Sequence, residues 1–171
     1  MDTKAACRVL GVDTSLRSTG IGVVEAEGSR LRVLDFGQIV NAAKLPLSRC
    51  LDSLQSGVEE VIGKYAPQAV AIEGVFFCRN ARTAVTLGEA RGVVIAAAAR
   101  AGIPVFEYAP RRVKQAVTAN GAAEKDQVRR MVMALLNMTI KPKEDASDAL
   151  AIALCHLNSF GGISATRPEP I

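Results

Sequence analysis

Four cysteines and a single histidine are all that this 171-residue chain offers a soft metal. Cys7, Cys50, Cys78 and Cys155 lie far apart with no C-x-x-C spacing, and His156 stands alone. A zinc centre needs clustered sulfur and imidazole, so this composition speaks against one. Reduced thiols, as in a cytoplasmic protein, are the expectation. Long apolar runs are missing too. The longest, Gly92 to Ala99, sits between Arg91 and Arg100, far short of the roughly 18 residues of a membrane span. It reads as a buried helix. The first ten residues carry Asp2, Lys4 and Arg8 with no apolar stretch, so no secretory signal is expected. There is no internal repeat, no linker and no glycine-rich phosphate loop of the sugar-kinase kind. The chain reads as one domain over residues 1–160. A tail over 161–171, from Gly161-Gly162 to Pro168-Glu169-Pro170, is expected to be disordered.

What is present is carboxylate in unusual places. Asp13 closes the apolar run Arg8-Val9-Leu10-Gly11-Val12, and Glu73 closes Ala69-Val70-Ala71-Ile72. Asp145 and Asp148 stand three apart before Ala149-Leu150-Ala151-Ile152. Carboxylates beside core segments are costly to bury unless paired or bound to a cation. Several converging on one point suit hard, oxygen-loving cations such as Mg²⁺. On a helix, Asp145 and Asp148 project from one face. Read singly, Asp145 could equally be an N-cap and Asp148 a first-turn acid placed for the helix dipole. The net charge of +4 is uneven: residues 111–143 hold eight Lys or Arg against two acids. A basic segment beside an acidic centre suits a bound polyanion, although chance clustering on a solvated surface gives the same count.

Residues 7–13, 20–27 and 30–40 read as strands joined by short connections, an antiparallel meander with Glu27-Gly28-Ser29 as one turn. Apolar residues at Leu47, Leu51, Leu54, Val58 and Val61-Ile62 switch to helical spacing over 47–65, with Pro67 after the end. Then follow a strand at 69–73, a helix near 80–101, a strand at 105–108, and helices near 110–119, 123–136 and 145–159. The expected fold class is α/β: a five-stranded mixed sheet, three strands antiparallel and then two parallel, flanked by helices. Asp13 and Glu73 then end adjacent parallel strands at the edge where such sheets place their ligands.

Several segments match a known family in order and at its spacing. Gly11-Val12-Asp13 with Thr19-Gly20-Ile21-Gly22 resembles the opening of RNase-H-like nucleases. Ala71-Ile72-Glu73-Gly74-Val75-Phe76, Leu87-Gly88-Glu89-Ala90-Arg91-Gly92 and Pro104-Val105-Phe106-Glu107-Tyr108 follow. Val113-Lys114-Gln115-Ala116-Val117, Glu124-Lys125-Asp126-Gln127-Val128 and Asp145-Ala146-Ser147-Asp148-Ala149-Leu150 complete the set. Over about residues 8–158 the chain resembles the bacterial RuvC-type Holliday junction resolvases, in the RNase-H-like superfamily.

The resemblance implies an endonuclease acting as a homodimer on four-way DNA junctions in recombination and repair, nicking two opposed strands symmetrically. It implies a branch-migration helicase complex as partner and two Mg²⁺ ions per site, with Mn²⁺ as a substitute. By position, Asp13, Glu73, Asp145 and Asp148 match the family's catalytic, metal-binding carboxylates. Phe76 matches an aromatic placed against bases at the junction centre, with a core phenylalanine as the alternative. Lys114 and Lys125 match basic residues near the site, and Arg79, Arg111 and Arg112 are further candidates for contact with DNA. The helix near 80–101 lies where the family dimerises, although core burial explains its small apolar residues as well. One departure stands out: Thr14-Ser15 follows Asp13 where the family has Pro-Gly. A junction-binding protein without cleavage, a related nuclease acting on RNA, or a sugar-kinase-like ATP-binding fold, which needs more chain for a second lobe, are the competing readings.

Overall fold

The computed structural model describes residues 6–74, 80–160 and 168–171. Phe76 and Arg79 lie outside the described residues, as does 161–167 of the expected tail; of the rest, Ile171 N–H donates to Val105 O at 2.9 Å.

Three β-branched, apolar strands open the chain: β1 (Cys7–Asp13), β2 (Ser18–Glu27) and β3 (Arg30–Val40). They pair antiparallel in sequence order, with Gly28 at a φ of 60° making the β2–β3 turn that a side chain would resist. Helix α1 (Leu47–Tyr65) buries Cys50, Leu54, Val58, Val61 and Ile62, one stripe at helical spacing. It ends where Ala66 turns left-handed and its N–H closes on Ile62 O at 2.9 Å, just before Pro67. Strand β4 (Ala69–Glu73) then pairs parallel with β1, and β5 (Val105–Tyr108) pairs parallel with β4 after helix α2 (Ala81–Arg100). Asn80 caps α2 by accepting from the N–H groups of Arg82 and Thr83. The sheet order is β3-β2-β1-β4-β5, the mixed sheet expected from the sequence.

Helices α3 (Pro110–Thr118), α4 (Lys125–Leu135) and α5 (Glu144–Phe160) follow, Pro110 sitting in the first turn where its missing N–H costs nothing. Two cores result. Leu10, Val12, Ile21, Val23, Val70 and Ile72 pack with α1 and α2 on one face of the sheet. Val9, Val24, Ala69, Ala71, Phe106 and Tyr108 pack with α3, α4 and α5 on the other. Helix α5 is buried from Ala149 through His156 because the sheet lies on one side and α3 and α4 on the other. That explains the uninterrupted apolar run after Asp148. Truncating Leu150 or Leu154, both fully buried, is expected to cost about 2–5 kcal/mol.

Among the described residues, Cys7, Cys50 and Cys155 are free thiols, and no helix is long and apolar enough to cross a membrane.

Candidate active site

Strand alternation decides where the acids point. On β1, Leu10 and Val12 face α1 and α2, so Gly11 and Asp13 face α5. On β4, Val70 and Ile72 face the first pair and Ala69 and Ala71 the second, which turns Glu73 toward α5 as well. The parallel register pairs Val12 with Ile72, so the next step brings Asp13 beside Glu73. Across the other neighbours, Asp13 is opposite Gly20, Gly20 opposite Gln38, and Glu73 opposite Tyr108. Gln38, Gly20, Asp13, Glu73 and Tyr108 thus form one row spanning all five strands.

Glycine lets α5 descend onto this row. A Cβ on Gly11 would lie 2.0 Å from Ala149 O, one on Gly20 would lie 1.9 Å from Asp145 O, and one on Gly22 2.8 Å from the Leu150 side chain. No real side chain fits at these distances. The helix backbone therefore rests on bare strand, and its first turns carry Asp145 and Asp148 to the ends of β1 and β4.

Crowding shows in the protonation equilibria. Burial, then the negative charges of Asp148, Glu73 and Asp145, push the Asp13 carboxyl up to about 7, with Lys125 opposing. Glu73 is raised by burial and then Asp148, against Lys114 and Lys125. Asp148 is raised by burial, and by Glu144 and Asp145, while Lys125 and Lys114 pull it down. Three of the four acids therefore hold their charge less readily than in water, because they are buried and crowded by like charge. Lys125 supplies some opposing charge: its Nζ lies 4.0 Å from Asp148 Oδ2 and is ion-paired with Glu144. Glu144 is thus tied to a lysine on the rim.

Asp145 is held differently. Its Oδ2 accepts from Ser18 Oγ at 2.5 Å and from Gln38 Nε2 at 2.6 Å. Its carboxylate bonds to β2 and β3 rather than to N–H groups of its own helix, so of the two readings open from sequence the N-cap is not the one adopted. As the side chains stand, no group of three or more His, Cys, Asp or Glu among the described residues closes on a single ion position. The donor set itself is oxygen only, anionic and short of countercharge, which fits a hard divalent cation and not a soft one.

Sequence reasoning missed four residues around the site. Arg91 on α2, 14% exposed at its side chain, donates Nη1–H to Glu73 O at 2.6 Å and Nη2–H to Glu107 Oε2 at 2.5 Å. It thereby clamps the end of β4 from the opposite face of the sheet; the only sequence signal was its place in Leu87–Gly92. Ser18 and Gln38 carried none, because their partner lies over 100 residues away. Ser147, 2% exposed between Asp145 and Asp148, has a hydroxyl without a hydrogen-bond partner among the described residues.

The Thr14-Ser15 departure has a definite structure. Thr14 is buried, Ser15 N–H donates to Thr19 Oγ1 at 3.2 Å, and the Thr19 hydroxyl donates back to Ser15 O. The turn is closed by its own side chain in place of a proline. Lys114 is half-buried on α3 and close enough to act electrostatically on Glu73 and Asp148. Arg111 is exposed, and its stem packs where Gly121 lacks a side chain. Arg112 lies over the Tyr108 ring at 5.5 Å and donates to Ser159 Oγ at 3.2 Å. His156 is buried among Phe106, Tyr108 and Phe160, its Nδ1 bonded to the Tyr108 hydroxyl at 2.8 Å. It packs along the last helix and takes no part in the acid cluster.

A five-stranded sheet in this order, with acids ending its two central parallel neighbours and a helix laid across them, is the architecture of the RNase-H-like class. The yeast mitochondrial Holliday junction resolvase Ydc2 shares that fold at a TM-score of 0.61 and 12% identity, over 89% of this chain and 79% of its own. Residues 9–156 match the family model described as crossover junction endodeoxyribonuclease RuvC, and the chain belongs to that family. The chain is 54% identical over 153 residues to the crossover junction endodeoxyribonuclease RuvC of Myxococcus xanthus, covering 88% of this chain and 80% of that one. The Rubrobacter xylanophilus relative of the same description is 49% identical over 159 residues, covering 92% and 89%. Thermus thermophilus RuvC, solved in complex with a Holliday junction substrate, superposes with a TM-score of 0.88 at 33% identity, over 95% of this chain and 99% of that one.

Proposed function

We propose that this chain is a structure-selective endodeoxyribonuclease that resolves Holliday junctions, with Asp13, Glu73, Asp145 and Asp148 as its catalytic carboxylates. The observation that carries the reading is the row at the sheet edge, where α5 brings two acids onto the two that end β1 and β4. Family membership over nearly the whole chain names the substrate: a four-way DNA junction.

The four carboxylates would hold divalent cations, two Mg²⁺ in the family's manner, with Mn²⁺ able to substitute. Bound there, such ions supply Lewis acidity to the scissile phosphate, a more acidic attacking water and charge neutralisation at the leaving 3′ oxygen. The chain's own groups do the rest. Asp13, its carboxyl raised to about 7, would give up its proton on holding a cation near neutral pH. Lys114 and Lys125, both acting on the cluster, offset charge that accumulates on the phosphate. Arg111 on the exposed face of α3 contacts the DNA backbone. Arg79 and Arg112 join it, Arg112 after release from Ser159. Phe76 stacks on a base at the junction centre. Two copies, meeting through α2, on which Val85 is 62% exposed, nick opposed strands symmetrically, and a branch-migration helicase complex delivers the junction.

The test is cleavage of a synthetic, partly mobile four-way junction in Mg²⁺ by the wild type and Asp13→Asn. Paired, ligatable nicks from the wild type alone support the reaction and its site. Binding without nicks, in Mg²⁺ and Mn²⁺ and with varied sequence at the crossover, makes this a junction-binding protein instead.

A further inference from the structure

We propose that Ser18 and Gln38 are positioning residues for the Asp145 carboxylate, presenting one of its oxygens to the cation site. The inference rests on reading Asp145 as a cation ligand. Both donors converge on Oδ2, Ser18 Oγ at 2.5 Å and Gln38 Nε2 at 2.6 Å, and Gln38 Nε2 also reaches Ser18 Oγ at 3.0 Å. A carboxylate accepts only, so Gln38 must turn its amide nitrogen toward it, and the Ser18 hydroxyl must aim its single proton the same way. The triangle has one self-consistent arrangement of donors.

Its placement is built into the sheet. Ser18 shares the α5-facing side of β2 with Gly20 and Gly22, and Gln38 sits directly opposite Gly20 on β3. Gly20 touches the Asp145 backbone, so the same row that lets the helix descend also grips its carboxylate. Asp13 and Asp148 share unfavourable charge with Asp145, and without donors on the β2–β3 side its side chain would be free to swing into solvent. Hydrogen bonds behind a ligating carboxylate fix its orientation, and their removal typically weakens metal binding.

Mn²⁺ binding to the full-length protein without DNA, measured by calorimetry, tests this directly. The double variant Ser18→Ala/Gln38→Ala is expected to bind Mn²⁺ about tenfold more weakly, with its junction binding in chelator unchanged. Ser18→Thr, which keeps the hydroxyl, is expected to retain wild-type affinity. In cleavage assays the double variant should need about tenfold more Mg²⁺ for half-maximal rate and recover the wild-type rate at saturation. Asp145→Asn is the reference. Loss of affinity in Asp145→Asn with none in the double variant overturns the positioning role alone. Tighter binding by the double variant also overturns it, because the donors then compete with the cation. Undiminished affinity in Asp145→Asn removes the ligand reading, and this proposal with it.

Discussion

Replacing Gly20 with alanine is the sharpest probe of how the fold builds the site. The new Cβ would lie 1.9 Å from Asp145 O and 2.3 Å from its carbonyl carbon, where real Cβ contacts stay beyond 3.0 Å. Strand and helix must therefore part by about 1 Å, and the obstacle is backbone, which cannot rotate aside. Overpacking of this kind costs about 1–3 kcal/mol. Stability is not the main casualty, because α5 stays anchored by Leu150, Ile152 and Leu154 deeper in the core. The shift falls on Asp145 and Asp148, and a misplacement of about 1 Å costs catalysis about 100-fold. Gly37→Ala on the neighbouring strand is the control, since a Cβ there meets nothing within 4 Å. Denaturant unfolding should show the loss for Gly20→Ala and a change within about 0.5 kcal/mol for Gly37→Ala. Single-turnover junction cleavage should fall only for the first, with binding in chelator intact. A Gly20→Ala enzyme cleaving within about threefold of wild type would refute the claim that close helix–strand approach sets the acid geometry.

The metal-free protein should lose stability as pH rises from about 4 to 7, because native Asp13, raised to about 7, holds a proton that the unfolded chain has released. His156, lowered to about 4 by burial, acts in the opposite sense below its ordinary value, so the pH-resolved difference between wild type and Asp13→Asn isolates the acid; parallel profiles would contradict it. Mg²⁺ binding at pH 6.5 should release protons, read as a dependence of calorimetric heat on buffer ionisation enthalpy, and Asp13→Asn should reduce the release. Arg91→Met should destabilise the protein by about 1–3 kcal/mol, and Arg91→Lys should not restore it, since one ammonium cannot span Glu73 O and Glu107 together; thermal unfolding of the two variants decides. Tyr108→Phe leaves His156 Nδ1 buried without its partner and should cost about 1–3 kcal/mol in denaturant unfolding.

Most of this architecture follows from local pattern. Short apolar runs that end on acids at β1 and β4, and the change to helical spacing at Leu47, place the elements within a residue or two of where they lie. Strand ends at Asp13 and Glu73 are visible because a carboxylate cannot continue an apolar run without a partner. The family likeness is legible for the same reason, since its segments are short and their order is kept. The sequence by itself thus determined which acids stand at which element ends, and that Asp145 and Asp148 share one helix face.

Only the tertiary structure decided how closely those ends meet. Gly11, Gly20 and Gly22 read as ordinary strand glycines until α5 is seen resting on them. Ser18 and Gln38 are unremarkable polar residues until register sets them opposite an acid more than 100 positions away. Whether Asp145 caps its helix or joins the acid cluster was open from spacing, because both suit a first-turn aspartate. Two donors on other strands, Ser18 and Gln38, hold its carboxylate. Long-range pairings and like-charge crowding have no local signature in a chain; they exist only once the sheet has closed its register and the helix has settled on it.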